Sequence, residues 1–147
     1  MWAVNPREDT LRSLVEYLAA FAGEFMELAR LPVRFEIAPE IPAYPLAAAQ
    51  RHGVFLAARE ALNNIAKHAR ATAVKLHVAV VASQLEIQLA DNGRGFDPAE
   101  VIGGNGLGNL QSRMQEAGGT CRIESQPGQG TTVFLILPLQ LSEKPGS

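Results

Sequence analysis

Four stretches of this chain hold residues whose types and spacing could do chemistry together. REALNNIAKHA (59–69) supplies an acid, an amide, a cation and an imidazole in Glu60, Asn64, Lys67 and His68. LADNGRGFD (89–97) ends an apolar run on Asp91, with Gly93 and Gly95 at alternate positions after it. GGNGLGNL (103–110) packs Gly103, Gly104, Gly106 and Gly108 into one short segment. PGQGTTVFLILP (127–138) sets Thr131 directly after Gly128 and Gly130.

The first stretch lies in a run with helical periodicity. At 100° per residue, Phe55, Ala58, Leu62, Ile65 and Ala69 fall on one side and form a core face. Glu60, Asn64, Lys67 and His68 fall on the other side, within about 100° of one another. A solvated helix face favours Glu, Lys, Arg and Gln, whereas Asn competes for backbone hydrogen bonds and costs about a few tenths of a kcal/mol per site. A ligand-facing surface explains the amides differently. An Asn carbonyl oxygen suits a hard cation such as Mg²⁺, which takes few protein ligands and shares the rest with phosphates and water. Lys67 could meet phosphate charge, and Glu60 could orient or deprotonate a nucleophile.

The glycine stretches supply complementary chemistry. Asp91, when ionised, only accepts hydrogen bonds, so at a strand end beside a pocket it could accept from an exocyclic amine such as that of adenine. Asp-Asn-Gly is equally a strong turn signal. The 103–110 segment runs straight into a predicted helix, where free N–H groups and the positive end of the dipole favour an anion. It is neither the dinucleotide fingerprint, for its glycine spacing and context are wrong, nor a P-loop, for no Gly-Lys-Ser/Thr follows. Thr131 brings a hydroxyl able to donate or accept.

Composition bounds what these groups can act on. With 47% hydrophobic and 19% charged residues in 147, the chain is long enough for one domain with a real core. A net charge of −2 lacks the basic excess expected of a nucleic-acid surface. The single cysteine, Cys121, rules out an internal disulfide and a multi-cysteine metal site; in CRIES it reads as a small buried hydrophobe. No run approaches the ~18 apolar residues of a membrane span, and the start, MWAVNPREDT, has no basic leader before an apolar run. The expectation is a soluble, cytoplasmic piece of a longer protein, without nucleic-acid partners or membrane insertion of its own.

The elements that must position the four stretches follow from pattern. Asn5-Pro6 makes a turn, and Asp9 or Thr10 caps a helix to about Ala29. Leu11, Leu14, Val15, Leu18, Phe21, Ala22, Phe25 and Leu28 form its apolar stripe. VRFEI (33–37) reads as a strand, APEIPAYP as a connector, and Pro45 as the start of the helix that continues to about Ala69. VKLHVAVV (74–81) and LEIQLA (85–90) are strands joined by a turn near Ala82–Gln84. Residues 91–106 read as a glycine-rich loop, and 107–118 as a helix stopped by Gly118-Gly119. CRIES (121–125) and TTVFLILP (131–138) are strands. The order predicts an α/β (α+β) two-layer sandwich: a mixed β-sheet with helices packed on one face.

In their order and spacing, EALNN…KHA, DNGRGF, GNGLGN and GQGTTVFLILP resemble the ATP-binding, catalytic domain of sensor histidine kinases. That domain belongs to the GHKL superfamily, whose members share a Bergerat-type ATP-binding fold. The resemblance covers about residues 46–139. The compact KHA ending and the short interval between glycine boxes resemble the subgroup paired with LuxR-type response regulators, and WAVNPREDTL resembles the segment that joins phosphoacceptor helices to the domain. The resemblance implies ATP and Mg²⁺ as cofactors. It makes Asn64 the metal ligand and Glu60 the acid that activates the phosphoacceptor. Lys67 and His68 sit near phosphate and nucleoside. Asp91 reads the adenine amine, with Thr131 sharing a water with it. Gly93 and Gly95 shape the adenine pocket, Gly104, Gly106, Leu107 and Gly108 meet phosphate, and 96–105 form a lid. The implied domains are a linker at 1–10, the catalytic domain at 11–139 and a disordered tail at 140–147.

One departure matters. No helix here carries a phosphoacceptor histidine: His52 and His77 lack the acidic neighbour and helical-hairpin setting. The chain is therefore expected to bind ATP, to donate the γ-phosphoryl to a histidine on a separate dimerisation domain, to reach a response regulator only indirectly, and to be mainly monomeric. The competing readings are an anti-sigma-type serine kinase and a non-catalytic nucleotide sensor.

Overall fold

The computed structural model describes residues 10–42, 44–95 and 105–139, with the side chains of 68–69 and 105–109 outside the description. Among the described residues, three α-helices and five strands follow in the order α1 (Leu11–Leu28), β1 (Val33–Ile37), α2 (Ala48–Asn64), β2 (Val74–Val81), β3 (Gln84–Asp91), α3 (Asn105–Glu116), β4 (Thr120–Ser125) and β5 (Thr131–Pro138). The sheet order is β1-β2-β3-β5-β4, with β1 parallel to β2 and every other pair antiparallel. This is the expected mixed sheet. Alternation along the central strands buries Val74, Leu76 and Val78, then Leu85, Ile87 and Leu89, then Val133, Leu135 and Leu137, on one face. They form one core with Leu11, Leu14 and Leu18 of α1, Leu62 of α2 and Leu110 and Met114 of α3.

Thr10 caps α1 by accepting a hydrogen bond from the Ser13 N–H, and Ser13 returns the bond to the cap. Most of the apolar stripe of α1 is buried as expected, but Leu28 is 86% exposed and Met26 is buried. Leu28 lies about 100° round the helix from Leu11, at the edge of the stripe. Helix α2 begins at Ala48 rather than Pro45. The preceding segment is held extended, because the Leu11 N–H donates to the Tyr44 carbonyl and Thr10 bridges Pro45. Helix α3 begins at Asn105, two residues before the expected start. Each glycine in its first turns costs about 1 kcal/mol against Ala. Leu110, Met114 and Ala117, buried at i, i+4 and i+7, outweigh that cost. The β2–β3 turn is the two-residue loop Ala82-Ser83, both left-handed at φ 52 and 62, the form that matches strand twist.

Cys121 is half-buried rather than fully buried. Burial still pushes its thiol up to about 11. Little thiolate, the reactive form, is then present at pH 7–8. Iodoacetamide is expected to label the native protein far more slowly than the urea-unfolded chain. Equal rates would show that the thiol is not shielded.

Candidate functional site

Helix α2 carries the first group of predicted residues. Phe55, Ala58, Leu62 and Ile65 are buried, as the helical wheel requires. Glu60 and Asn64 are half-buried, and Lys67 is exposed. Gly53, Ala57, Glu60 and Asn64 fall within about 60° of one another round this helix. At Gly53 that line is in close contact with α3: an added Cβ would lie 2.9 Å from Ala117 Cβ. Ala57, one turn on, is fully buried. Glu60 and Asn64 thus continue a line that starts in a helix–helix contact. That position distinguishes them from a solvated face.

The helix reaches Ala69 as expected, but its last turn, Ile65–Ala69, is a π-helix. Such turns add a residue per turn and recur at functional sites. Lys67 and His68 therefore rotate less per residue than an α-helical wheel assumes. The turn ends on Arg70 in left-handed conformation (φ 54).

The other group stands on the sheet. Register sets Val74, Asp91, Thr131 and Ser125 side by side across β2, β3, β5 and β4. Asp91 and Thr131 terminate the same rows that bury Leu89 and Val133, so both point to the helix-covered side. The Gly93 N–H donates to Asp91 Oδ1 at 2.8 Å, and the Thr131 N–H also donates to this carboxylate. Burial nevertheless raises the Asp91 carboxyl above its ordinary value, the two N–H donors opposing it only in part. A partly desolvated carboxylate at a strand end is poised to accept from a ligand N–H.

The next residue fastens the two groups together. Asn92 Oδ1 accepts from the N–H groups of Thr72 (2.8 Å) and Ala73 (3.0 Å), and Nδ2 donates to Thr72 Oγ1 at 2.8 Å. This clamp ties the segment leaving the π turn to the end of β3. It brings the C-terminal end of α2 to the Asp91 end of the sheet. Asn92 and Ser125 are the positions that sequence reasoning missed; the middle residue of Asp-Asn-Gly reads as a turn former, and its long-range partners leave no local signal.

Gly95 adopts φ 63, and a Cβ there would fall 2.0 Å from the Gln126 carbonyl oxygen. The chain after Asp91 therefore lies directly on the β4–β5 turn, where the Gly128 N–H donates to the Arg94 carbonyl. Gly93 is buried beside Asp91. Gly106, Leu107 and Gly108 belong to the first turns of α3, Gly106 in place of the loop expected for it, with their side chains outside the described residues. A three-residue turn links α3 to β4, on which it packs, so the N-terminal end of α3 faces the Asp91 end of the sheet. Gly103, Gly104 and the 96–104 part of the expected lid lie outside the described residues, as does the His68 side chain. An open pocket of about 360 Å³ between α1 and β1 includes none of the predicted residues. His52 is exposed, and His77 Nδ1 stands 3.6 Å from Glu36 Oε1 in β1. Among the described residues no three His, Cys, Asp or Glu side chains form a metal cluster, and no helix is long and apolar enough to cross a membrane.

Residues 49–141 match the family described as histidine kinase-, DNA gyrase B- and HSP90-like ATPases. Sensor histidine kinase LiaS of Bacillus subtilis is 33% identical over 92 residues, which cover 62% of this chain and 26% of LiaS. The signal transduction histidine-protein kinase/phosphatase UhpB of Salmonella typhimurium is 31% identical over 135 residues, 92% of this chain and 26% of UhpB. The chain thus spans about a quarter of the length of these relatives. A histidine kinase domain from the blue-light activated kinase of Erythrobacter litoralis EL346 superposes with TM-score 0.73 at 22% identity, covering 94% of this chain and 66% of that one. With its mixed sheet, its row of polar residues at one sheet end and these matches, the chain belongs to the histidine kinase-, gyrase B- and HSP90-like ATPases, as an ATP-binding domain of the sensor histidine kinase type.

Proposed function

We propose that this domain binds Mg-ATP at the Asp91 end of its sheet and donates the γ-phosphoryl to a histidine on a separate helical dimerisation domain, as the energy-using step of two-component signalling. The observation that carries this reading is the pairing of Asp91 with Thr131 across the sheet, at the end to which the Asn92 clamp ties α2. Asp91 accepts from the adenine amine. Glu60 orients the phosphoacceptor imidazole and takes its proton. Lys67 and the N-terminal end of α3 neutralise phosphate charge. His68 lies close to the nucleotide. Gly93, Gly95, Gly104, Gly106, Leu107 and Gly108 let the backbone approach it.

The donor set fits magnesium. Asn64 offers one amide oxygen on a half-buried helix face, with no carboxylate cluster beside it among the described residues. A cation that draws most of its ligands from phosphate and water needs little more. When bound, the ion would neutralise charge on the transferring phosphoryl group. The compact KHA ending and the short interval between the glycine boxes support a LuxR-type regulator as the downstream partner.

Titration of ATP with and without Mg²⁺ tests the site. Asn64→Ala is expected to weaken Mg-dependent binding at least roughly tenfold, a loss that even an outer-shell partner of a metal brings. Asn63→Ala, about 100° away on the helix, should bind within about twofold of wild type. Equal effects would remove Asn64 from the metal. Labelled phosphate must also pass from ATP to an added two-helix phosphoacceptor domain; binding without transfer would leave a nucleotide sensor.

A further inference from the structure

Ser125 stands one strand beyond Thr131 in the cross-strand row that Asp91 begins. Its hydroxyl lies 2.8 Å from Thr131 Oγ1 and 3.2 Å from the Gly130 carbonyl oxygen. A carbonyl only accepts, and each hydroxyl has one proton to give. Both contacts are hydrogen bonds together in one arrangement: Ser125 donates to Gly130, and Thr131 donates to Ser125. Thr131 Oγ1 is then left with lone pairs only. Its neighbour in the row, the Asp91 carboxylate, is also an acceptor.

We propose that Ser125 is a positioning residue for nucleotide selection: it holds the Thr131 proton, so that Thr131 and Asp91 present paired acceptors that favour a purine bearing an exocyclic amine over a 6-oxopurine. The proposal rests on the ATP-site reading above. Without Ser125 the Thr131 proton is free to turn to Asp91, which occupies an acceptor the ligand needs. A wrongly directed donor also meets the amine with a proton. Each effect weakens the amino purine, and the second relieves the 6-oxopurine.

The test is a double-mutant cycle on this chain, with Mg-ATP and Mg-GTP binding measured by calorimetry. Ser125→Ala is expected to weaken ATP about three- to tenfold, the worth of one neutral hydrogen bond, and to narrow the ATP-over-GTP ratio by a similar factor. Ser125→Thr, which keeps a hydroxyl, should restore both. Thr131→Val alone should narrow the ratio, and adding Ser125→Ala to it should change nothing further. The same loss in the Thr131→Val background would mean that Ser125 acts on the fold and not through Thr131, overturning the proposal. So would an unchanged ratio in Ser125→Ala. Asp91→Asn separates the two readings: if it weakens ATP while Ser125→Ala does not, only the Ser125 role fails, and if neither does, the site itself is wrong.

Discussion

Asp91→Asn is expected to weaken ATP binding by about 10- to 150-fold, the range for losing a hydrogen bond to a charged group, while leaving the fold intact or slightly firmer. Asn retains one acceptor oxygen for the Gly93 N–H, but its amide nitrogen faces the adenine amine with two protons. The stability side follows from the raised Asp91 carboxyl. A carboxyl whose folded pKa is raised is harder to ionise in the fold than in the unfolded chain. Its favourable contribution is present in full below the ordinary carboxylate range and is lost as pH rises through the folded value. At neutral pH the wild type therefore carries a small penalty that Asn lacks, modest because the group is only half buried. The melting temperature of Asp91→Asn minus that of wild type should grow as Asp91 titrates and then level off. A variant that binds ATP like wild type would remove Asp91 from the nucleotide. One that melts far below wild type at pH 7 would make Asp91 a structural residue.

That combination, lost binding with retained stability, marks a residue placed for a ligand against local preference. Such residues explain what could be read from the sequence. Apolar runs bounded by turn residues place β1, β2 and β5 to the residue, and in β2 burial on one face also leaves period 2 in the text. Asp91 was legible because an acid cannot end an apolar row without a reason. The π turn under Lys67 was not, since IAKHA has no helix breaker and only tertiary context decides between α and π. Register was invisible too. Nothing in the string states that Asp91 opposes Thr131 or that Ser125 comes next, because pairing depends on strand order. The Asn92 clamp spans 20 residues to Thr72 and belongs to the same class of long-range contact. Conversely, the glycines of 103–108 argue locally against a helix, and the packing of Leu110 and Met114 carries α3 back to Asn105.

Gly130→Ala is expected to be strongly destabilising, by about 2–5 kcal/mol, with Gly128→Ala as its control. Both glycines have left-handed backbone, at φ 82 and 78, and both lie in the β4–β5 turn. Conformational strain alone therefore costs the two variants about the same, on the order of 1–2 kcal/mol. Their surroundings differ. At Gly128 an added Cβ meets nothing within 4 Å. At Gly130 it would lie 2.2 Å from the Asp91 carbonyl oxygen and 3.2 Å from Asn92 Cα. Those atoms are backbone at the end of β3, so relief requires moving the strand that carries Asp91 and its Asn92 clamp. Overpacking of this kind adds about 1–3 kcal/mol. Urea unfolding of the two variants should therefore separate them by about that amount, and Gly130→Ala should weaken ATP binding in the molecules that do fold while Gly128→Ala does not. If the two unfold alike, the β3 end gives way easily, and the close approach of Gly130 to Asp91 is not what holds the carboxylate in place.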